Sequence, residues 1–361
     1  MKIHFYLADQ NPHRDRTLGI SQYTLQLMAH LQRQDGTELS CLASRSSIRP
    51  DGALIPTQVL PFRTDRLAGR LLADQLHPWI KAPASDLVHY PKGYLPLWGR
   101  RRSPIVATIH DTIVDYYEQH YPRSRPRAAF GYWRTVLSRS LTQVDLVLTI
   151  SQFSKRSIEA FCQRHGIACP RIVVTYQGAR WAARPGVPAR KGDDVVHLSS
   201  TAQHKRTVTL LEYWAQLQRE GRSLPRLCLI GEIDETARRR FGALPNVDVL
   251  GRLTSSELRE RLAAARAVVI PSEVEGFGLP ALEGYYLGTP AVYVRGTAIE
   301  ELLGPDTPGG FQLDSVESFW MALTEVLELD RRWVSAKARQ LADRFAWVRC
   351  AERTLAAYRS L

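Results

Sequence analysis

The chain of 361 residues is long enough for two hydrophobic cores, and its 44% hydrophobic and 23% charged residues are ordinary for a soluble globular protein. No apolar run approaches a membrane span, the apolar start at Met1–Leu7 is too short for a secretory leader, and the scattered cysteines (Cys41, Cys162, Cys169, Cys228, Cys350) show neither zinc spacing nor a disulfide framework, so reduced thiols in a cytoplasmic protein are expected. Of the net charge of +12, +11 sits in residues 1–180, which carry 24 Lys/Arg against 13 Asp/Glu; with no basic–aromatic RNA motif or finger spacing beside it, nucleic acid ranks behind an anionic membrane surface, an anionic lipid-linked or polysaccharide substrate, and a merely solvated basic face.

Lys2–Ala8 reads as a first strand and Asp9–Leu18 as a polar loop. A helix follows over Gly19–Leu31, with Ile20, Tyr23, Leu27, Met28 and Leu31 at helical spacing. A glycine such as Gly19 at a strand-to-helix turn lets backbone approach a ligand, although alone it is more often just a turn. The Pro-, Arg- and Asp-rich segment Arg45–Arg70 has little periodicity. Asp86–Tyr90 and Pro104–Ile109 read as strands, and His110-Asp111 stands at the carboxyl end of the second, where open parallel sheets bind ligands. A helix over Arg127–Leu141, a strand over Val144–Ile150, a helix capped by Ser151 and a strand over Arg171–Tyr176 complete this half.

Ala179–Lys191, rich in Ala, Arg, Pro and Gly, reads as a linker. A strand at Asp194–Leu198 opens a second α/β unit, and Ser199–Arg206, ending in His204-Lys205-Arg206, leads into a helix over Val208–Leu217. Such a basic cluster is usually a solvated face. Strands Leu227–Ile230 and Val247–Leu250 end in the turns Gly231-Glu-Ile-Asp234 and Gly251-Arg252-Leu253, and Ser255 is expected to cap the next helix, to Ala265. After the strand Ala267–Ile270 comes a Gly-rich loop and a short helix that Pro280 can start and Gly288 can end. The amides of Phe277, Gly278 and Leu279 at that helix start suit a phosphate, while Glu283 in its first turn and Glu275 on the loop suit hydroxyls. The strand Ala291–Val294, a short helix from Thr297, a helix over Phe319–Leu329 and a helical pattern over Trp333–Tyr358 finish the chain.

Glu275-Gly-Phe-Gly-Leu-Pro-Ala-Leu-Glu283, followed by Gly288-Thr-Pro290, resembles the donor-site signature of family 4 retaining glycosyltransferases, of group 1. Glu273 lacks the spacing and the following glycine. The resemblance covers nearly the whole chain and is most specific over residues 251–301. Gly19-Ile-Ser-Gln-Tyr23 is similar to the family's Gly-Ile-Gly-Arg-Tyr, and Thr108-Ile-His-Asp111, with Tyr116, Tyr117, Tyr121 and Pro122 behind it, to its cleft-histidine motif. Ile150-Ser-Gln-Phe-Ser-Lys155 is similar too, with its serines read as caps. Lys205 matches the diphosphate-binding lysine of the usual Arg-Lys-Asn; His204 replaces its Arg, and a second family Arg is missing near Ser199.

The fold this implies is α/β, GT-B: two Rossmann-like doubly wound domains facing across a cleft. An acceptor-side domain would span 1–178, a linker 179–192 and a nucleotide-sugar domain 193–344, with a C-terminal helix in 345–361 crossing back to the first domain. The implied activity is retaining, metal-independent hexosyl transfer, from GDP-mannose or UDP-glucose, to a glycan or lipid-linked acceptor in envelope polysaccharide synthesis. Peripheral contact with an anionic membrane's inner face goes with it, without cofactor, metal or nucleic acid. His110, Lys205 and Glu275 would be catalytic, with His110 touching the sugar near its reacting carbon. Gly19, Phe277, Gly278, Leu279, Glu283, Gly231, Arg252 and Leu253 would bind donor: Glu283 its ribose, and the two turns its base. Asp111, His204 and Arg206 would support them. A GT-B nucleotide-sugar hydrolase or epimerase, or a non-catalytic sugar-nucleotide binder, is the alternative.

Overall fold

The structure is a computed structural model that describes the chain apart from residues 12–17, 51–54, 62, 66–68, 70–71, 74, 76–82, 97–102, 184–191 and 243. Parts of the expected loop at Asp9–Leu18, of Arg45–Arg70 and of the linker lie outside the described residues. The chain divides into two compact units: Met1–Gly178 together with Phe345–Leu361, and Ala179–Arg344.

Unit 1 holds the strands β1 (Lys2–Tyr6), β2 (Glu38–Ala43), β3 (Thr57–Val59), β4 (Leu87–Tyr90), β5 (Ile105–Thr108), β6 (Leu146–Thr149) and β7 (Ile172–Val174). They form one parallel sheet in the order β3-β2-β1-β4-β5-β6-β7. Its helices include α1 (Leu18–Leu31), α2 (Ile113–His120), α3 (Arg127–Gln143) and α4 (Gln152–Arg164). The strands are short apolar runs; β6 is buried at every position, as a parallel sheet covered on both faces requires.

Unit 2 holds β8 (Asp194–Ser199), α5 (Thr207–Arg219), β9 (Arg226–Gly231), α6 (Glu235–Phe241), β10 (Val247–Gly251), α7 (Ser255–Ala264), β11 (Ala267–Ile270), α8 (Leu279–Tyr286), β12 (Ala291–Val294), α9 (Ala298–Leu303), β13 (Gly310–Phe311), α10 (Val316–Leu327) and α11 (Arg331–Arg344). Its parallel sheet runs β10-β9-β8-β11-β12-β13. The core on one face gathers Trp214 of α5, Phe319 of α10 and Phe311, whose ring lies 5.2 Å from that of Phe319.

The last helix, α12 (Trp347–Tyr358), belongs to unit 1 and packs on α1. Trp347 lies 5.8 Å from Tyr23, Cys350 Sγ donates to Tyr176 O at 3.1 Å, and the Tyr358 hydroxyl bonds His89 Nδ1 at 2.7 Å. The helical pattern expected over Trp333–Tyr358 is therefore two helices, α11 and α12, interrupted where Phe345 turns into the core.

Three other local expectations change. Thr254 caps α7 in place of Ser255: its hydroxyl accepts from Glu257 N at 3.3 Å while Glu257 accepts from Thr254 N at 2.8 Å, a reciprocal capping box. The helix expected over Phe319–Leu329 starts three residues earlier, because Ser315 caps it. Glu283 is the fifth residue of α8, just past its first turn.

Candidate active site

In each sheet the order of strand addition reverses after the third strand, so the first and fourth strands lie side by side. Their outgoing loops part at the carboxyl ends, and that is where an open parallel sheet receives a ligand. In unit 2 these strands are β8 and β11. The loop after β8 ends in a 3₁₀ turn at Gln203–Lys205, and the loop after β11 carries Glu273 and Glu275.

Lys205 Nζ donates to Glu275 Oε1 at 2.6 Å. Beside this pair, Glu273 N donates to His204 O at 3.0 Å and Arg206 Nε donates to Glu273 Oε2 at 2.7 Å. Arg206 has φ 51°, a left-handed conformation that a side chain adopts only where its surroundings fix it. Its N–H donates to Gln203 O at 3.0 Å, closing the turn, and its side chain is held on the Glu273 carboxylate. Three contacts thus stitch the two loops, and Glu273, which spacing set aside, is one of the stitches.

Burial pushes the Glu275 carboxyl up, but the charge and hydrogen bond of Lys205, with a smaller effect of His204, outweigh it and hold the group below its usual range. Glu275 is therefore an anion, able only to accept. Burial and then the Lys205 charge lower His204 to about 4, against the pull of Glu275. At neutral pH its ring carries no charge, so it does not replace the cation that an Arg would bring. Sequence reasoning passed over His197, whose one signal is a polar residue inside the buried run Val195-Val196-His197. Its Nδ1 donates to Val269 O at 2.9 Å and its Nε2 bonds Thr207 Oγ1 at 2.9 Å, tying β8 to β11 and to the start of α5.

At the N-terminus of α8, Gly278 has φ 98°, and a Cβ there would lie 2.6 Å from Ile299 Cγ1, so both conformation and space demand glycine. Phe277 is buried, and the N–H groups of Gly278 and Leu279 meet no acceptor among the described residues. Pro280 has no N–H, so the first turn presents a small set of donors at the positive end of the helix. Buried Glu283 accepts from Arg180 N at 3.3 Å and faces Arg180 Nε at 3.7 Å, both through Oε1. Burial raises its pKa, and Arg180 opposes the rise. Arg180 gave no sequence signal beyond a place in the linker.

At the ends of β9 and β10, Gly231 has φ 123°, and a Cβ there would come within 2.4 Å of Ser199 O; glycine lets the end of β9 lie against that of β8. Arg252 Nη2 pairs with Glu232 Oε1 at 2.9 Å across the two turns, both side chains being exposed, and Leu253 is half-buried.

In unit 1, His110 follows β5 and is buried. Its Nε2 lies 2.9 Å from Pro91 O, which can only accept, so the proton is placed on Nε2 and Nδ1 is an acceptor. Burial lowers its pKa to about 4, the Pro91 bond opposing. The ring meets Tyr23 edge-on at 4.7 Å. Asp111 Oδ1 accepts from Ile113 N at 3.0 Å, so Asp111 shapes the backbone entering α2. Ser151 caps α4 by accepting from Ser154 N at 2.9 Å, and Ser154 Oγ, read from the sequence as a cap alone, also donates to His110 O at 2.7 Å. Gly19 lies inside α1 with nothing within 4 Å of a would-be Cβ, so its own neighbours do not require glycine. At the reversal of this sheet, Lys92 Nζ donates to Asp9 O at 2.8 Å and lies 3.6 Å from Asp9 Oδ2, a pair that the sequence did not suggest.

Among the described residues no group of three or more His, Cys, Asp or Glu is placed to hold a metal ion, and no helix is long and apolar enough to cross a membrane.

Two family models match the chain: "Glycosyltransferase Family 4" over residues 18–179 and "Glycosyl transferases group 1" over residues 192–328. The O-antigen chain mannosyltransferase B of Escherichia coli is 28% identical, over 81% of this chain and 80% of that protein. A GDP-mannose-dependent alpha-(1-6)-phosphatidylinositol dimannoside mannosyltransferase of Mycobacterium tuberculosis is 27% identical, over 72% of this chain and 68% of its own length. Among solved structures, the sucrose-phosphate synthase of Thermosynechococcus elongatus is similar in fold, with a TM-score of 0.73 at 17% identity, covering 100% of this chain and 98% of that one.

Proposed function

The chain belongs to glycosyltransferase family 4 and has the GT-B fold, and from that premise we propose that it moves a mannose-type hexose from a nucleoside-diphosphate sugar to a glycan or lipid-linked acceptor in cell-envelope glycan synthesis, retaining the anomeric configuration without a metal ion. The mannose preference draws support from the two mannosyltransferase relatives. The observation that carries the reading is the Lys205–Glu275 pair at the reversal of the unit 2 sheet, beside the donor amides of α8.

In this reading the donor's diphosphate takes Lys205 as a partner and meets the N–H groups of Gly278 and Leu279. As the bond from the anomeric carbon to the diphosphate oxygen breaks, negative charge grows on that oxygen, and these fixed donors stabilise it. Glu275, an anion before the donor arrives, accepts hydrogen bonds from sugar hydroxyls. It does not attack the sugar: the acceptor hydroxyl adds on the face that the diphosphate leaves, and the departing phosphate oxygen takes its proton. Glu283 accepts from the ribose hydroxyls, and the turns at Gly231 and at Arg252-Leu253 border the base. The basic balance of residues 1–180 favours an acceptor met at an anionic membrane surface.

The test is an assay with GDP-mannose and envelope glycan or lipid-linked acceptors, with and without a chelator, the product anomer being read by NMR. An α-linked product from the α-linked donor at a chelator-insensitive rate is expected. An inverted anomer, a chelator-sensitive rate, or GDP release with no glycosylated product would contradict the reading.

A further inference from the structure

Unit 2 contains a cavity of about 550 Å³ between the end of α9 and one face of α11, lined by none of the donor loops. Trp333, Lys337, Gln340 and Arg344 line it and recur at i, i+4, i+7 and i+11, hence on one face of α11. The other stripe, Val334, Ala338 and Leu341, is buried. Asp306 stands on the opposite wall, in the turn that α9 enters through Gly304.

Neither Lys337 nor Asp306 forms an ion pair among the described residues. Lys337 Nζ donates to Gln340 Oε1 at 3.1 Å. Burial, and then the like charge of Arg344, hold its pKa below the usual lysine range. Two cations sharing one wall of a concave site favour an anion between them. Asp306, exposed and likewise without an ion pair among the described residues, can accept hydroxyl donors. Trp333 leaves 36% of its surface open, a flat apolar flank of the kind that packs on a pyranose ring. The volume falls in the range of about 300–1,000 Å³ usual for small-molecule sites.

We propose that this cavity is a second saccharide site, separate from the donor site, for a sugar that carries an anionic group: Trp333 packs on the ring, Asp306 takes hydroxyls, and Lys337 with Arg344 takes the phosphate or carboxylate. Such a sugar could be a free hexose phosphate or an acidic residue of a glycan chain. The site owes nothing to the donor reading.

Calorimetric titration of the full chain with mannose 6-phosphate, a hexuronate-containing disaccharide, free mannose and inorganic phosphate tests it. One anionic sugar should bind more tightly than either free mannose or inorganic phosphate, and the tighter of the two anionic probes identifies the source. Lys337→Ala and Lys337→Gln should each weaken that binding about tenfold or more, as loss of a charge-assisted bond does. Trp333→Ala should weaken the sugar and leave inorganic phosphate alone, and Lys205→Ala should change nothing. Melting curves of each variant show that it is folded. No saturable binding of either anionic sugar, equal affinity for inorganic phosphate, indifference to both Lys337 variants, or loss in Lys205→Ala would each overturn the proposal.

Discussion

The two sheets share one strand order, and at the reversal of each a lysine meets an acid. In unit 1 the acid follows the first strand and the lysine the fourth, as Asp9 and Lys92; in unit 2 the order is opposite, Lys205 and Glu275. Their settings differ more. The Lys92 and Asp9 side chains are 11% and 3% exposed, and the lysine's short contact, 2.8 Å, is to a main-chain carbonyl. Lys205 is 27% exposed and its 2.6 Å contact is to the carboxylate itself. A lysine sunk against backbone is a tie between loops, whereas one half-open on a carboxylate can accept a phosphate as a further partner. Strand order says where to look; exposure separates the two lysines.

That contrast can be broken by substitution. Lys205→Ala and Glu275→Ala should each lower the transfer rate by about 10²–10³-fold, as loss of a fixed hydrogen-bonding partner of the transition state does, with the fold retained by circular dichroism. A near-normal rate in either would remove that residue from the chemistry. His110→Ala should cost about 10²-fold; an unchanged rate would leave it a structural role. Glu283→Ala should weaken nucleoside-diphosphate binding about tenfold, and unaltered affinity would contradict the ribose assignment. Lys92→Ala should act the other way round, lowering stability by about 1–3 kcal/mol while nucleotide affinity holds. A stable Lys92→Ala protein that no longer binds donor would make the two units alike.

The smallest expected effect is one of pH. With its pKa lowered to about 4, His204 gains charge only as pH falls toward that value, so sugar-nucleotide affinity should stay flat between pH 8 and 6. Tightening over that interval would mean that His204 is protonated and clamps the diphosphate after all.

The fold class was legible because the strands are short apolar runs set between helices and Gly- or Pro-marked turns. β3, with Gln58 and Val59 exposed, escapes a search for buried runs: it lies at the sheet edge, and little of it enters a core. The Glu275–Glu283 motif was legible because it is contiguous. Partners were not: Lys205 lies 70 residues from Glu275, Arg180 lies 103 from Glu283, and Lys92 lies 83 from Asp9. Spacing singled out Glu275 and discarded Glu273, yet only the arrangement of loops shows that Glu273 bonds both neighbours of Lys205, His204 through its N–H and Arg206 through its carboxylate.

The most direct test is to titrate GDP and GDP-mannose separately into the wild-type protein, Lys205→Ala and Glu275→Ala. Lys205→Ala should weaken both ligands, because both carry the diphosphate. Glu275→Ala should weaken GDP-mannose alone and leave GDP as tight as before or tighter, because only the sugar loses a partner. Equal losses of GDP and GDP-mannose in Glu275→Ala, or an unchanged GDP affinity in Lys205→Ala, would contradict the division of labour between lysine and acid.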